Sequence, residues 1–174
     1  MGRSVRRVPK DWEHPKKEDG SGQYQPMHDE PFKRAAQDWL DACLLWAKGE
    51  HPDQNDEWAK EHNVKERYPF YWQYCGEPPD DQYYRPDWPE ESRTHLQMYE
   101  NTSEGTPISP VMETPEELAH WLADNNASAF AGQTATYEQW LATIKRGWAP
   151  SMIIPQHADG TGTMESGVSF MAQP

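Results

Sequence analysis

The histidines have the most versatile chemistry in this chain, because imidazole binds metals and transfers protons near neutral pH. They lie at positions 14, 28, 51, 62, 95, 120 and 157, and no pair has the i, i+4 or His-x-His spacing that places two imidazoles on one metal ion. The Gly-x-Ser-x-Gly, Gly-x-x-x-x-Gly-Lys and Gly-x-Gly-x-x-Gly motifs are absent from the sequence as well. The sequence therefore predicts no catalytic residue, no metal site and no cofactor.

One loop with hydroxyls beside acids would suit an enzyme. Residues 103–110 have the sequence Ser-Glu-Gly-Thr-Pro-Ile-Ser-Pro, in which Glu104, Thr106 and Ser109 would hold a phosphate or a sugar hydroxyl. With His95, this loop would form the site of an enzyme that acts on a nucleotide or on a defence signalling molecule. The alternative is a turn that glycine and proline shape and that the hydroxyls cap.

Aromatic rings beside carboxylates form a second candidate site, a surface that binds a partner. The nine tryptophans and eight tyrosines are more than a small core can enclose, so we expect some to be exposed. Exposed Trp and Tyr next to charge are typical of interface hot spots. The predicted surface comprises Trp72, Tyr83, Tyr84 and Trp88 with the acids Asp80, Asp81, Asp87, Glu90 and Glu91. Alternatively, these rings pack over their own loops in place of missing aliphatic side chains.

Charge is unevenly distributed along the chain. The formal net charge is −13; residues 1–17 have six basic and two acidic side chains, whereas residues 77–124 have twelve acidic and two basic ones. Such an acidic block repels free nucleic acid and attracts basic protein surfaces. We therefore expect a partner with a basic surface and no strong binding to free nucleic acid. The alternative is an acidic surface that only keeps a Trp-rich protein in solution.

Helices are the main elements that would position these residues. The patterns predict helices over 31–48, 114–124 and 136–146. Thr114 with Glu117, and Thr136 with Gln139, fit capping boxes, and the last two helices make a hairpin at 114–148. Weaker predictions are helices at 56–65 and 89–99 and strands at 68–75 and 107–112; residues from Thr94 onward would alternatively be extended.

Composition predicts a small core. Only 20 residues are Leu, Ile, Val or Phe, so Trp and Tyr must supply much of the buried surface. The helix at 31–48 has an apolar face that we expect to be buried, made of Phe32, Ala36, Trp39, Leu40, Cys43, Leu44 and Ala47. We predict an α+β, mainly helical fold with a small Trp/Tyr-rich core and a C-terminal helical hairpin. Its parts are a basic extended N-terminal arm at 1–30, a single compact domain at 31–150 and a flexible C-terminal tail at 151–174.

Several runs of the chain resemble one protein family. They lie at 6–15, 85–100, 102–110, 114–118, 121–125 and 135–141, and include Arg85-Pro-Asp-Trp-Pro-Glu-Glu-Ser and Thr114-Pro-Glu-Glu-Leu. In these runs the chain is similar to a family of uncharacterised proteins of tailed bacteriophages. The resemblance implies a phage gene product that acts in the cytoplasm of the host bacterium or enters the virion, and it implies no catalytic residues. No apolar run approaches the roughly 20 residues of a membrane-spanning helix, so we expect no membrane association.

Charge, aromatic residues and resemblance together predict a binding function. We expect an acidic phage protein that binds and inhibits a bacterial host or defence protein, such as a nuclease, a CRISPR effector or a transcription factor. Mimicry of DNA or RNA charge is one way to do so. One alternative is a structural or assembly component of the virion, whose arms at 1–30 and 151–174 order on neighbouring subunits. The other is the enzyme with the 104–109 loop.

Overall fold

The computed structural model of the protein describes residues 2–101, 105–154 and 164–172. Within them the fold is α+β and mainly helical, as predicted. The strands are β1 Gly2–Val8, β2 His28–Pro31, β3 Tyr84–Arg85, β4 His95–Glu100, β5 Thr106–Pro107, β6 Trp148–Pro150, β7 Met152–Ile153 and β8 Glu165–Ser166. The α-helices are α1 Phe32–Lys48, α2 Pro52–Asn55, α3 Glu57–Glu61, α4 Val64–Arg67, α5 Tyr71–Cys75, α6 Pro115–Asp124, α7 Tyr137–Arg146 and α8 Gly167–Phe170. Segments Asp81–Tyr83 and Glu90–Ser92 are 3-10 helices.

The chain divides into two compact units. Met1–Asp29 together with Trp88–Pro174 form the first, which we call the sheet unit, and Glu30–Asp87 form the second, the helical unit. This division differs from the single domain predicted for 31–150. The physical reason is that each unit has a core of its own, one around the α6–α7 hairpin and one around Trp46.

The sheet unit is built on an antiparallel sheet with the strand order β5-β4-β1-β6. β1 is an interior strand, because Val5 pairs with Met98 of β4 and Ser4 pairs with Trp148 of β6. The prediction of an extended arm at 1–30 therefore needs correction: residues 2–8 are extended, but 3–8 pair with β4 and 2–4 pair with β6.

Two arginines of β1 are buried, although their charge had suggested exposure. The Arg3 Nε donates to the Ser128 carbonyl oxygen at 2.9 Å, and an Arg6 terminal nitrogen donates to the Met27 carbonyl oxygen at 2.7 Å. Arg3 also lies 3.9 Å from a carboxylate oxygen of Glu100. Burial lowers the pKa of Arg3, and the Glu100 carboxylate opposes this change. A basic side chain is compatible with a core strand here because backbone carbonyls accept hydrogen bonds from each guanidinium group.

Helices α6 and α7 form the predicted hairpin and contact each other, β4 and β6. Both capping boxes are confirmed: the Thr114 hydroxyl accepts from the Glu117 N–H at 3.1 Å, and the Thr136 hydroxyl accepts from the Gln139 N–H at 3.4 Å. Gly147 ends α7 at φ 95°, which a glycine adopts without strain. The buried core of this unit consists of Met98, Leu118, Ala119, Leu122, Ala129, Trp140, Ile144, Ala149 and Val168.

The described part of the predicted tail at 151–174 also belongs to this core. β7 pairs with β8, and Val168 of α8 is completely buried. A side chain at Gly167 would overlap the carbonyl oxygen of Pro150, so α8 approaches β6 as closely as only a glycine permits. The prediction of a flexible tail is therefore wrong for residues 151–154 and 164–172. The segment has few hydrophobic residues, so nothing in the sequence indicated that Val168 is buried.

The helical unit has an aromatic core, as the composition predicted. Trp46 of α1 is buried with Ala59 and Val64, its ring stacks on Tyr74 at a centroid distance of 4.8 Å, and its Nε1 donates to the Tyr68 carbonyl oxygen at 2.9 Å. Strand β2 pairs with β3 in a two-stranded sheet. Tryptophan and tyrosine thus replace the aliphatic side chains that this segment lacks.

Helix α1 matches its predicted span, but the structure covers only part of its apolar face. Ala35 and Trp46 are buried on α1, whereas Leu40 and Leu44 are 52% and 59% exposed. The expected burial of the Leu40 and Leu44 side is therefore wrong. Helix α5 packs on α1 along the other side, where Trp39 and Tyr71 have ring centroids 6.2 Å apart.

Four weaker predictions are corrected. The strand at 68–75 is instead α5, because Tyr71 and Tyr74 lie one helical turn apart and both rings contact Trp46. The helix at 89–99 is a 3-10 turn followed by β4, so the extended alternative is confirmed. Asn63, at φ 51°, separates α3 from α4 where one helix was predicted at 56–65. The strand at 107–112 shortens to β5 and a bridge between Leu96 and Met112.

Candidate functional site

A groove of about 640 Å³ lies in the sheet unit, and we call it the Trp12 groove. Its volume is within the range of small-ligand sites. Aromatic side chains and a proline-containing segment make its walls, buried polar side chains make its floor, and one acid and one base lie among its lining residues. These residues are Trp12, Glu13, His14, Lys16, Tyr24, Gln97, Pro107, Ile108, Ser109, Pro110, Val111 and Trp121.

One wall is the segment that follows β5, where the regular backbone pairing with β4 ends. The Ile108 N–H still donates to the Met98 carbonyl oxygen at 2.8 Å, but the Met98 N–H donates to the Ser109 hydroxyl at 2.9 Å instead of to a backbone carbonyl. The Gln97 side-chain amide donates to the Ser109 carbonyl oxygen at 2.9 Å. Side chains thus satisfy the backbone groups that the irregular segment would leave unpaired.

A second wall is a loop that returns on itself. Lys16 and Tyr24 form an isolated antiparallel bridge, and the Gln25 N–H donates to the Pro15 carbonyl oxygen at 2.9 Å. This closure places the Tyr24 ring edge-on to the His14 ring, at a centroid distance of 5.6 Å. Tyr24 is exposed, whereas His14 is buried beneath it. The loop therefore supplies both an accessible ring and a buried imidazole.

The Tyr99 hydroxyl is the centre of a buried hydrogen-bond network below the groove. It accepts from Trp12 Nε1 at 3.2 Å, donates to Gln97 Oε1 at 2.8 Å, and lies 3.0 Å from His14 Nδ1. The guanidinium carbon of Arg6 lies 4.0 Å from the centroid of the Tyr99 ring. Burial raises the pKa of Tyr99 to about 12, so the hydroxyl stays protonated at neutral pH.

The partners of His14 determine its tautomer. The Gln25 carbonyl oxygen, 2.7 Å from Nε2, can only accept, so Nε2 carries a proton. In the neutral ring Nδ1 is then an acceptor, and it competes with Gln97 Oε1 for the single hydroxyl proton of Tyr99. Burial lowers the pKa of His14 and the nearby Arg6 charge lowers it further, while the Gln25 carbonyl opposes both. His14 is therefore neutral at pH 7.

We expect the stability of the sheet unit to fall as the pH is lowered from 7.5 to 5, because of His14. The unfolded chain binds a proton at this histidine near pH 6.5, whereas the folded pKa is lower, so acid favours the unfolded state. The measurement is the free energy of unfolding in urea at several pH values. His14→Gln should cost about 1–3 kcal/mol at pH 7.5 through its lost hydrogen bonds. It should also weaken the pH dependence; equal pH dependence in both proteins would contradict this role for His14.

The residues of the predicted binding surface belong to different units. Trp72, Tyr83, Tyr84, Asp80, Asp81 and Asp87 lie in the helical unit, and Trp88, Glu90 and Glu91 lie in the sheet unit. Trp72 is 49% exposed and lies parallel to the exposed Phe70 ring at a centroid distance of 6.2 Å. Tyr83 is exposed as well.

Two of the predicted rings pack over their own surroundings, as the alternative interpretation describes. Tyr84 contacts the Phe32 ring at 6.1 Å, and Trp88 lies edge-on to Trp12 at 4.6 Å. Both are only half-buried. The aromatic residues therefore divide between local packing, as for Tyr84 and Trp88, and exposure, as for Trp72.

The predicted acids have local roles as well as charge. Asp80 accepts from the side-chain and backbone nitrogens of Gln82 at 2.6 and 3.1 Å, and these bonds lower the pKa of Asp80. Glu90 forms an ion pair with Arg93. Asp81, Asp87 and Glu91 are exposed. These carboxylates give the surface its negative field.

In the predicted 104–109 loop, the Ser109 hydroxyl forms hydrogen bonds within the chain. Glu104 lies outside the described residues, and Thr106 is half-buried in β5. The Ser109 hydroxyl is buried, accepts from the Met98 N–H and donates to the Pro110 carbonyl oxygen at 2.9 Å. His95 lies in β4, with Nδ1 2.9 Å from the Thr94 hydroxyl. For Ser109, the structure thus shows a role in shaping the turn.

Sequence reasoning missed the Trp12 groove. Trp12 and His14 reach Tyr99 only because β1 pairs with β4, across about 85 residues of chain, and no local pattern reveals that pairing. Among the described residues, no group of three His, Cys, Asp or Glu side chains could hold a metal ion. No helix in this part of the chain is long and apolar enough to cross a membrane.

Comparisons with known proteins add no relative. No protein-family model, no curated protein and no solved structure matches the chain.

Proposed function

We propose that the protein is a binding protein that engages a bacterial protein with a basic surface through its helical unit, and inhibits it by occupying that surface. The observation that carries the proposal is the exposure of large apolar side chains in this unit. Of the thirteen such exposed residues in the described chain, eight lie in the helical unit: Phe32, Leu40, Leu44, Leu45, Trp58, Phe70, Trp72 and Tyr83.

Exposure of this kind has a cost that a binding partner would remove. Leu40 and Leu44 lie one turn apart on α1, and the parallel rings of Phe70 and Trp72 are both about half exposed. Burying a large apolar side chain contributes about 1.5–3 kcal/mol. Tryptophan and tyrosine are the residues on which interface hot spots most often depend. These side chains support contact with an apolar patch on the partner.

Charge supports a basic partner. The helical unit has thirteen acidic and seven basic residues, a net charge of −6. A negative surface accelerates encounter with a positive one, and this attraction weakens as salt screens the charges. The resemblance to tailed-phage proteins supports a target inside the host bacterium, where nucleases, CRISPR effectors and transcription factors have basic grooves. In the virion alternative, residues 1–30 order on a neighbouring subunit, yet residues 2–8 already belong to the sheet of this chain, through β4 and, at 2–4, also through β6.

Capture from bacterial lysate tests the proposal. The tagged protein and its Trp72→Ala and Trp148→Ala variants are compared at about 0.05 M and about 0.5 M salt. Trp148 is the matched control, because it is 54% exposed and lies in the sheet unit. We expect one partner that the wild type and Trp148→Ala retain at low salt, and that Trp72→Ala binds at least about tenfold more weakly.

Three results would count against this function. The first is a partner that Trp72→Ala retains as well as the wild type does. The second is a complex whose affinity is the same at both salt concentrations, because a charge-steered interface must weaken with salt. The third is the absence of any specific partner.

A further inference from the structure

The Trp12 groove is lined by aromatic rings and by few free polar groups. Trp12, Tyr24 and Trp121 line it, and each is at least partly accessible. The polar side chains of the floor already form hydrogen bonds within the chain, as His14, Gln97 and Ser109 show. Trp12 Nε1 is also engaged, since it donates to Tyr99. A ligand in the groove would therefore contact mainly aromatic side chains.

Two hydrogen-bond donors remain available at the walls. The Tyr24 hydroxyl and Trp121 Nε1 have no hydrogen-bond partner among the residues that the structure describes. Both groups lie on residues that line the groove. The groove thus offers two donors at its aromatic walls, which suits a ligand with carbonyl acceptors and apolar rings.

The backbone of the wall excludes strand addition. Pro107 and Pro110 have no N–H, so the segment 107–111 cannot present the regular row of donors on which an added β-strand depends. A bound peptide must therefore be held by side chains. The polyproline II conformation fits this requirement, because it has no internal hydrogen bonds and leaves its carbonyl groups outward.

Other ligand classes fit the groove less well. A sugar needs many polar partners, and the floor groups are already bonded. A phosphate needs cations, and among the lining residues Lys16 is balanced by Glu13. The sheet unit as a whole has sixteen acidic and nine basic residues, a net charge of −7. This charge repels phosphates and attracts a basic peptide.

We propose that the Trp12 groove binds a proline-rich peptide segment with a basic residue beside its prolines. The pyrrolidine rings lie against Trp12, Tyr24 and Trp121, and peptide carbonyls accept from the Tyr24 hydroxyl and Trp121 Nε1. The preformed polyproline II conformation keeps the entropy lost on binding small. This site lies in the sheet unit and does not depend on the proposed function of the helical unit.

The test uses a synthetic peptide, acetyl-Pro-Pro-Ala-Pro-Pro-Arg-amide, and a control with alanine in place of every proline. Binding is followed by the indole N–H signals of the full-length protein in two-dimensional ¹⁵N NMR. We expect the proline peptide, at up to about 1 mM, to shift the Trp121 indole signal and leave the Trp72 signal in place. The alanine peptide should bind at least about fivefold more weakly.

Variants distinguish specific binding through the two donors from nonspecific stacking on aromatic rings. Tyr24→Phe and Trp121→Phe each remove one donor and keep a ring, so each should weaken binding about three- to tenfold. Tyr83→Phe is the matched control in the helical unit and should bind the peptide as the wild type does. Because Tyr24 is exposed, its variant remains informative if Trp121→Phe folds poorly. Unchanged affinity in Tyr24→Phe, equal binding of both peptides, or a response to AMP or maltose but not to the proline peptide would each overturn the proposal.

Discussion

Replacing Trp140 by alanine is expected to lower the free energy of unfolding of the sheet unit by about 3–5 kcal/mol. The side chain is completely buried among Leu118, Leu122 and Ile144, so its removal leaves a cavity in the core between the hairpin and the sheet. Because small domains have only about 5–15 kcal/mol of stability, this loss is a large fraction of the total. Urea denaturation followed by far-ultraviolet circular dichroism measures it.

Trp148→Ala is the matched control for this change. The same residue type is removed from β6, where the ring is mostly exposed, so we expect a loss of no more than about 0.5–1 kcal/mol. Equal losses in the two variants would show that Trp140 does not occupy the core. Both variants keep the remaining eight tryptophans, so tryptophan fluorescence can be read alongside circular dichroism.

Arg6→Ala is expected to lower the free energy of unfolding by about 2–4 kcal/mol, which is a large effect for the loss of a basic side chain. Arg6 is only 5% exposed, donates to the Met27 carbonyl oxygen and covers the Tyr99 ring. Its removal leaves a buried carbonyl without its donor and opens space beside the Tyr99 network. Denaturant unfolding at pH 7.5 gives the value.

Arg7→Ala provides the comparison for Arg6→Ala. Arg7 is the next residue of β1 and is exposed, so its loss should change stability by less than about 0.5 kcal/mol. A flexible basic arm at 1–30 would make the two substitutions equally harmless. Equal and small effects would therefore contradict the interior position of β1.

Local chemistry explains which elements could be predicted from the sequence. Each capping box joins two residues that are three positions apart: Thr114 with Glu117, and Thr136 with Gln139. Gly147 directly follows the last residue of α7. These signals are local, so the sequence alone predicts where α6 and α7 begin and where α7 ends. The pairing of β1 with β4 depends on contacts over about 90 residues, and the charge of β1 suggested a solvated arm. Long-range pairing of this kind has no local signal.

Aromatic runs gave an ambiguous pattern in the helical unit. Residues 68–75 have high strand propensity, yet Tyr71 and Tyr74 contact Trp46 from one face of α5. Tertiary packing therefore overrode the intrinsic preference. Trp72 and Tyr83 are exposed, whereas Tyr84 and Trp88 pack on Phe32 and Trp12, which are distant from them in the sequence.

Hydrogen–deuterium exchange on the captured complex shows whether the helical unit contacts the partner. Amide exchange is compared by mass spectrometry between the free protein and the protein saturated with its partner, over peptides that cover both units. We expect slower exchange on binding at residues 68–83, which contain Trp72 and Tyr83. Unchanged exchange at 68–83, with protection confined to the sheet unit, would contradict it.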